Sequence, residues 1–561
     1  MGDFPRARLA QPRGYPSKTW SSCWKLLIFL FIDMILKKIA LSKQLLSFIV
    51  VFYLYVFNFL TTENKFDSLF FGLWPASLLL FFVLLSSLFH RYLFKTFLSF
   101  LVLICSFSLF FKFNYNTVIT DDIVLSTWIN DASLSLEMVS WNLVLWVLVT
   151  GIIPIFIIFS VKIKKSTFIK QTLFAAVGSA AALALIALIF HFGEFKLEKK
   201  GHIRDPKLAQ SFAFFSPVDV LYSSHVARKK YRVFQRSFAG LPQLSEKYEY
   251  SLASGLDDLL VLVIVGETAR GDRFGINGYE KPTSPMLSKV DGLTSFRNVT
   301  SCDTITISSI KCIFSRVEPS QRLENFKESA FTDVFRSLNF GVDIYSLQGL
   351  NEIYSYLGYD NLVSKYAVLQ NSTVGARDMA LLPYLKESVA EKNKRLVILH
   401  TLGSHQTYSD RSMPEDQLFK PACSNPDVKA CGLEELSNAY DNSIVATDNF
   451  IFQSISALKG KKAVMLYTSD HGESLGKNGI YYHGAPVESA PPEQLNIPLM
   501  VWMSPELLGT EAGQKMQKNL QNLDKYTQLS HANFFHSVLG CAGISSKDGG
   551  MDESLNLCGA K

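Results

Sequence analysis

Apolar runs in the first third of this chain constrain its fold more than any other feature. Five stretches are dominated by Leu, Phe, Ile and Val, near Leu41–Leu60, Leu69–Phe89, Thr96–Phe113, Trp141–Val161 and Leu173–Phe192. A helix needs about 20 such residues to cross a bilayer. Inside the bilayer, each backbone group must also find its hydrogen bond within the segment. Five membrane helices are therefore expected; the earlier run Leu26–Ile32 is too short to cross. Basic loop residues set the orientation. Lys25, Lys37, Lys38 and Lys43 precede the first run, Arg91 and Lys95 follow the second, and Lys162, Lys164, Lys165 and Lys170 follow the fourth. The other two loops hold Glu63, Asp67, Asp121, Asp122, Asp131 and Glu137, with Lys65 as their one basic residue. If the basic side faces the cytoplasm, everything after Phe192 lies outside.

Four parts follow from this pattern. Residues 1–33 read as a tail ahead of a more natural opening at Met34-Ile-Leu-Lys-Lys, either an upstream-start extension or a cytoplasmic one. They lack the small-residue cleavage site of a signal peptide. Residues 34–193 form the transmembrane domain. Residues 194–247 form an amphipathic connector with Lys196, Lys199, Lys200, Arg228, Lys229, Lys230, Arg232 and Arg236. Its apolar residues Phe212, Phe214, Phe215, Val220, Leu221 and Tyr222 suit a lipid headgroup layer. Residues 248–561 have ordinary water-soluble composition. The net charge of +6 is too modest to suggest nucleic acid.

Six of the eight cysteines lie in the last part, as close pairs: Cys302/Cys312, Cys423/Cys431 and Cys541/Cys558. None of the pairs has the C-x-x-C spacing of a zinc knuckle. Nearest-neighbour disulfides in an oxidising compartment are the expectation. Cys23 and Cys105 lie in the tail and in a span.

The last part reads as an α/β domain. Leu259–Gly266 is a short unbroken apolar run ending in Gly, as a buried parallel strand is. Gly341–Ser346, Leu396–Leu399, Ala463–Tyr467 and Ile497–Met503 repeat the pattern, with helix-like segments Asn325–Leu338, Asp378–Lys392 and Leu433–Leu458 between them. Such alternation implies a layered domain on a mostly parallel sheet. Glu267, His405, Asp470 and His471 fall at or just after strand ends, the edge where open α/β sheets place ligands. An Asp and a His side by side are natural zinc ligands, and Glu267 from another strand end makes three. The stretch Cys302–Cys312 brackets Thr304, Thr306, Ser308 and Ser309. It is either a stapled surface loop or a means of pinning one hydroxyl for chemistry.

Together these residues resemble a family. Val265-Gly-Glu-Thr-Ala-Arg270, Gly275-Ile-Asn-Gly-Tyr279, Ser301-Cys-Asp-Thr-Ile-Thr306 and Ser469-Asp-His-Gly-Glu-Ser474, followed by His483-Gly484, are similar to motifs of the phosphoethanolamine transferases that modify lipopolysaccharide. Leu399-His-Thr-Leu-Gly-Ser-His405, Ala490-Pro-Pro-Glu-Gln494 and Val501-Trp-Met-Ser504 resemble the branch acting on the Kdo sugar of Kdo2-lipid A. Ser404-His-Gln-Thr407 and Tyr345-Ser-Leu-Gln-Gly-Leu350 depart from the lipid A-directed branch, which has Asn-His-Gly-Pro and an Asn- and Lys-bearing loop there.

The resemblance implies five membrane helices and a three-layer α/β/α alkaline-phosphatase-like (sulfatase-like) domain in the periplasm of a bacterium, on a multi-pass inner-membrane protein. It implies zinc, with Glu267, Asp470, His471 and the Thr306 oxygen as ligands and a second ion left open. Thr306 would be the nucleophile, and His405 and His483 would lie near the transferred phosphate. The donor would be phosphatidylethanolamine, the acceptor Kdo2-lipid A, and the protein a monomer. Rival readings are transfer to a lipid A phosphate, a phosphoglycerol transferase or sulfatase-like hydrolase, and an inactive membrane-anchored binding or sensor protein.

Overall fold

The computed structural model describes residues 40–61, 65–115, 117, 119–129, 139–192, 215–237, 240–318, 321, 326–349, 351–374, 377–524 and 527–559. Expectations for the tail 1–33, Cys23, Lys25, Lys37, Lys38, Glu63, Asp131, Glu137, Lys196, Lys199, Lys200, Phe212 and Phe214 fall outside these residues. By packing, the chain forms two units. One holds the residues up to Phe107 with Trp146–Pro217; the other holds Ser108–Leu145 with Val218–Lys561.

Helices α1 (Lys43–Thr61), α2 (Lys65–Ser86), α3 (Arg91–Tyr115), α4 (Asp121–Ile129), α5 (Trp141–Ser160) and α6 (Phe168–Phe192) come first. Among the described residues, four helices are long and apolar enough to cross a membrane: Lys43–Leu60, Arg91–Tyr115, Trp141–Ser160 and Phe168–Leu188. The expected run at Leu69–Phe89 falls largely in α2, within which Pro75–Ser86 forms a shorter apolar helix. Phe52, Phe156, Phe168 and Ile169 are 67–80% exposed, a cost in water and none in hydrocarbon. Two lysines read as orientation markers also close helix ends, where the last carbonyls lack intrahelical partners. Lys43 Nζ donates to the carbonyls of Ser87 and Phe89 at 2.8 and 2.6 Å, just past α2. Lys95 Nζ donates to those of Phe159 and Val161 at 2.8 and 2.6 Å, at the end of α5. Phe215, expected in the headgroup layer, is instead fully buried, its ring 6.5 Å from Tyr55.

In the second unit, α7 (Val218–Ser237) packs against α4, with Lys230 at 2.5 and 2.7 Å from Asp121 and Asp122. Leu125 and Ile129 of α4 and Ala227 of α7 join the main hydrophobic core. That core is built on a sheet of eight strands. They are β1 (Leu260–Gly266), β2 (Leu293–Thr300), β3 (Gly341–Ser346), β4 (Asn361–Val363), β5 (Arg395–His400), β6 (Ala463–Ser469), β7 (Asn496–Met503) and β8 (Leu529–Ser530). The order across the sheet is β8-β2-β7-β6-β1-β5-β3-β4. From β6 to β4 all pairs are parallel; β7 runs antiparallel to both its neighbours. Strand β2 gave no apolar run because it is mostly polar and only half-buried, and β4 and β8 are too short to signal themselves.

Every residue of β1 and β6 is buried, so both faces of the central sheet are covered. Val261, Val263 and Val265, on one face, share a cluster with residues of α8 (Thr306–Phe314), α9 (Phe331–Ser337) and, at the C-terminus, Ala532–Cys541. The buried residues of α10 (Leu382–Ala390) and α11 (Leu433–Ala457) lie outside that cluster and pack with each other. The domain therefore has three layers, helix on sheet on helix. The three cysteine pairs are disulfides as expected: Cys302–Cys312, Cys423–Cys431 and Cys541–Cys558.

Candidate active site

The central strands bring three acids and bases together by register alone. β1 and β6 are adjacent and parallel, with Gly266 opposite Ser469. The residues that follow, Glu267 and Asp470-His471, therefore leave the sheet side by side. One ligand atom from each of Glu267, Asp470 and His471 lies within 4.8 Å of the others, and all three residues are buried. The turns that carry them need close backbone approach. A Cβ on Gly403 would meet the Glu267 carbonyl at 2.4 Å, and one on Gly472 would meet that of Glu493 at 2.1 Å.

Each of the three side chains is oriented by a neighbour. Glu267 accepts from the Thr268 hydroxyl at 2.7 Å and from Gln348 Nε2 at 3.0 Å. Asp470 Oδ1 accepts from the backbone N–H groups of Thr268 and His471 at 3.0 and 2.7 Å. Thr268 has a φ of 59°, a left-handed conformation that costs a non-glycine residue about 1–2 kcal/mol. His471 Nδ1 lies 3.0 Å from the Gly472 carbonyl. The carbonyl can only accept, so the proton is on Nδ1 and the Nε2 lone pair faces Glu267 and Asp470.

This donor set fits a zinc ion. Two carboxylates and an imidazole nitrogen converge, as in catalytic zinc sites. Asp470 Oδ2 is buried and accepts no hydrogen bond. Burial, and then the Asp470 carboxylate, push Glu267 well above the usual carboxylate range, a crowding that a divalent cation would relieve. Burial, and then His483, hold His471 well below the usual imidazole range, which leaves it neutral, as a metal ligand must be.

Thr306 begins α8, and the Cys302–Cys312 bridge ties the loop before it to the helix after it. Its Oγ1 lies 3.2 Å from Glu267 Oε2 and 3.4 Å from His471 Nε2. Unpaired N–H groups and the dipole of a helix N-terminus favour an anion here. Of the other hydroxyls in the stretch, Thr304 donates to the Ala485 carbonyl and Ser309 to that of Asp303, while Thr306 is turned to the Glu267 carboxylate.

His405 and His483 sit beside this cluster. The ring centroid of His483 is 4.3 Å from that of His471 and 6.2 Å from that of His405. His405 Nδ1 is 2.8 Å from the Gln406 carbonyl, and His483 Nδ1 is 2.8 Å from Glu473 Oε2. Burial, then Arg411, lower the His405 pKa. Burial opposes charge on His483 too, but the Glu473 carboxylate outweighs it and raises the pKa.

Sequence reasoning gave no role to Glu473 or Gln348. Glu473 is fully buried and also accepts from Tyr408 Oη at 2.6 Å. Gln348 Nε2 donates to the Thr401 carbonyl at 2.9 Å as well as to Glu267. Gln348 follows the end of β3, so the strand-end rule that found Glu267 could have found it.

Such a centre on such a sheet defines the sulfatase and alkaline-phosphatase class of enzyme domain. Residues 260–544 match the family model "Sulfatase", and residues 77–198 match "Phosphoethanolamine transferase EptA/EptB". The Kdo(2)-lipid A phosphoethanolamine 7''-transferase of Escherichia coli strain K12 is 30% identical over 554 residues, covering 92% of this chain and 97% of the relative. The enzyme of the same name from Salmonella typhimurium is 29% identical over 556 residues, with the same coverage of 92% and 97%. The solved integral membrane lipooligosaccharide phosphoethanolamine transferase A of Neisseria meningitidis shares the fold, with a TM-score of 0.76 at 23% identity over 92% of this chain and 98% of that one. The chain belongs to the lipopolysaccharide phosphoethanolamine transferase family, membrane-anchored proteins with a sulfatase-like domain.

Proposed function

We propose that this protein transfers phosphoethanolamine from phosphatidylethanolamine to lipopolysaccharide, with a Kdo sugar of Kdo2-lipid A as acceptor. It acts as a monomer in a bacterial inner membrane, with five spans and its sulfatase-like domain in the periplasm. The observation that carries the reading is the Thr306 hydroxyl, 3.2 Å from Glu267 and 3.4 Å from His471 at the mouth of a helix. It occurs in a chain aligned over 92% of its length with relatives named for that acceptor.

Glu267, Asp470, His471 and the Thr306 oxygen would hold one zinc ion. Zinc there would supply positive charge that favours the deprotonated hydroxyl and the charge gathering on phosphate. Thr306 Oγ1 gives up its proton and attacks phosphorus, the bond from phosphorus to the diacylglycerol oxygen breaks, that oxygen takes up one proton in exchange, and phosphoethanolamine is left esterified to Thr306. We assign delivery of that proton to His483, a reading supported by the Glu473 carboxylate that holds its Nδ1. A Kdo hydroxyl then attacks the same phosphorus, its proton is taken up by His483 or His405, and Thr306 leaves as its hydroxyl. Backbone N–H groups at the start of α8 face the phosphate oxygens in both steps.

The test is mass spectrometry of lipopolysaccharide from cells with and without the protein. A phosphoethanolamine added on Kdo is the expected result. Addition on a lipid A phosphate would overturn the acceptor, and an unchanged glycolipid would overturn the reading.

A further inference from the structure

His531 was not among the residues the sequence marked, and none of the proposed chemical steps uses it. It lies between β8 and helix α12 (Ala532–Cys541) and is fully buried. Its Nδ1 accepts from the backbone N–H of Cys302 at 3.2 Å, and its Nε2 lies 3.0 Å from the carbonyl of Ser469. An amide nitrogen can only donate and a carbonyl can only accept, so the tautomer is set: Nδ1 bare, Nε2 protonated. Ser469 immediately precedes Asp470 and His471. Cys302 begins the bridged loop that delivers Thr306. One imidazole thus spans the strand end bearing the proposed metal ligands and the loop bearing the proposed nucleophile. The backbone N–H of His531 also bonds the Thr300 carbonyl at 3.2 Å, so its own place is determined by the same loop.

We propose that His531 is a positioning residue that sets the spacing between Thr306 and the Asp470-His471 pair. The inference rests on the reading of Thr306 as nucleophile given above. Its physical basis is the reach of one ring. No backbone bond joins Cys302 to Ser469, and a displacement of about 1 Å between reacting groups costs on the order of 100-fold in rate. Two variants divide its bonds. His531→Asn keeps an acceptor near the Nδ1 position and loses the reach to Ser469. His531→Gln keeps a donor near the Nε2 position and loses the bond from Cys302. His531→Leu loses both.

The experiment uses the full-length protein in phosphatidylethanolamine-containing vesicles. It follows four readouts: the rate of adduct formation on Thr306, KM for the lipid, the zinc content, and the distances from Thr306 Oγ1 to Glu267 and His471 in crystal structures. His531→Leu is expected to keep its zinc and its KM within about 2-fold, to slow adduct formation by about 100-fold, and to move Thr306 Oγ1 beyond hydrogen-bond reach of both partners. The single-bond variants should fall between it and the native protein. An unchanged Thr306 position in His531→Leu overturns the inference, whatever the activity. So does a loss of rate that comes with loss of zinc and is equal in all three variants, since that marks His531 as fold support alone. If the native protein forms no adduct on Thr306, the nucleophile reading fails, and the measured distances still decide whether His531 sets the spacing.

Discussion

Two parts of the second unit, the centre at the strand ends and the segment Ser108–Leu145, are held in contrasting ways. At the centre, Glu267, Asp470 and His471 each have a hydrogen-bonded neighbour within a few residues of a strand end. Their positions follow from the register of β1 and β6. The segment Ser108–Leu145 packs in the same unit although residues 146–217 separate it from the rest of that unit. Its ends are gripped by one residue. Asp427, in the loop closed by Cys423–Cys431, accepts from Tyr115 Oη at 2.8 Å and from Asn142 Nδ2. The Tyr115 ring stands edge-on to that of Tyr482 at 5.0 Å, next to His483. A Cβ on Gly484 would lie 3.5 Å from Ile305 and 3.6 Å from Ile123 of α4, so this segment also borders the turn after His483 and the residue before Thr306. The lesson is that the centre is over-determined locally, while one side of its rim depends on a few distant contacts. Removing parts of each should therefore give effects of different size.

The largest effect belongs to Thr306→Ala. Transfer should fall by at least about 10³-fold, with no phosphoethanolamine on residue 306 by mass spectrometry, while zinc is retained. Asp470→Asn or His471→Ala should remove zinc from the purified protein, as measured by metal analysis, and transfer with it. An unchanged zinc content would break the idea that the strand-end cluster is the metal site. His483→Ala should cost about 10²–10⁴-fold in transfer, and Glu473→Gln about 10–100-fold, because Glu473 acts only by orienting and charging His483. Equal losses would show Glu473 to have a part of its own. Replacing Cys302 and Cys312 together by Ser should destabilise the domain by about 2–3 kcal/mol in denaturant unfolding, with a loss of rate that follows the displaced Thr306. The smallest effect is expected from Asp427→Ala. Transfer should drop only a few-fold, about 1 kcal/mol or less of barrier, while amide exchange in Tyr481–His483 speeds up. A loss as large as that of His483→Ala would erase the contrast between centre and rim.

Much of the centre was legible because its chemistry sits where short-range rules apply. A buried apolar strand announces itself by composition, the residue after it falls at the ligand edge, and an Asp-His pair is scarce enough to notice. Glu267, Asp470 and His471 meet as those rules suggest, whereas Thr306 stood out from the loop's other hydroxyls only through the family resemblance, and its Oγ1 lies beside them. Gln348 and Glu473 were given no role because a single amide or acid after a strand usually caps a helix or faces water. His531 escaped because a lone histidine beside a two-residue strand carries no pattern. Phe215 was misplaced because an aromatic in an amphipathic connector suits the headgroup layer equally well; only its packing against Tyr55 buries it.

By itself, the sequence determined a chain of two kinds. Its apolar runs can be stable only in lipid, and its alternating strands and helices must bury a sheet on both faces. Both conclusions follow from hydrophobicity and periodicity, which act over a few residues. Tertiary structure alone decided the antiparallel course of β7, the assignment of Ser108–Leu145 to the sulfatase-like unit, the grip of Asp427 on both ends of that segment, and the bridge from His531 to two loops. These join residues tens to hundreds of positions apart. Only the folded backbone brings such residues within the 3 Å or so that a hydrogen bond requires.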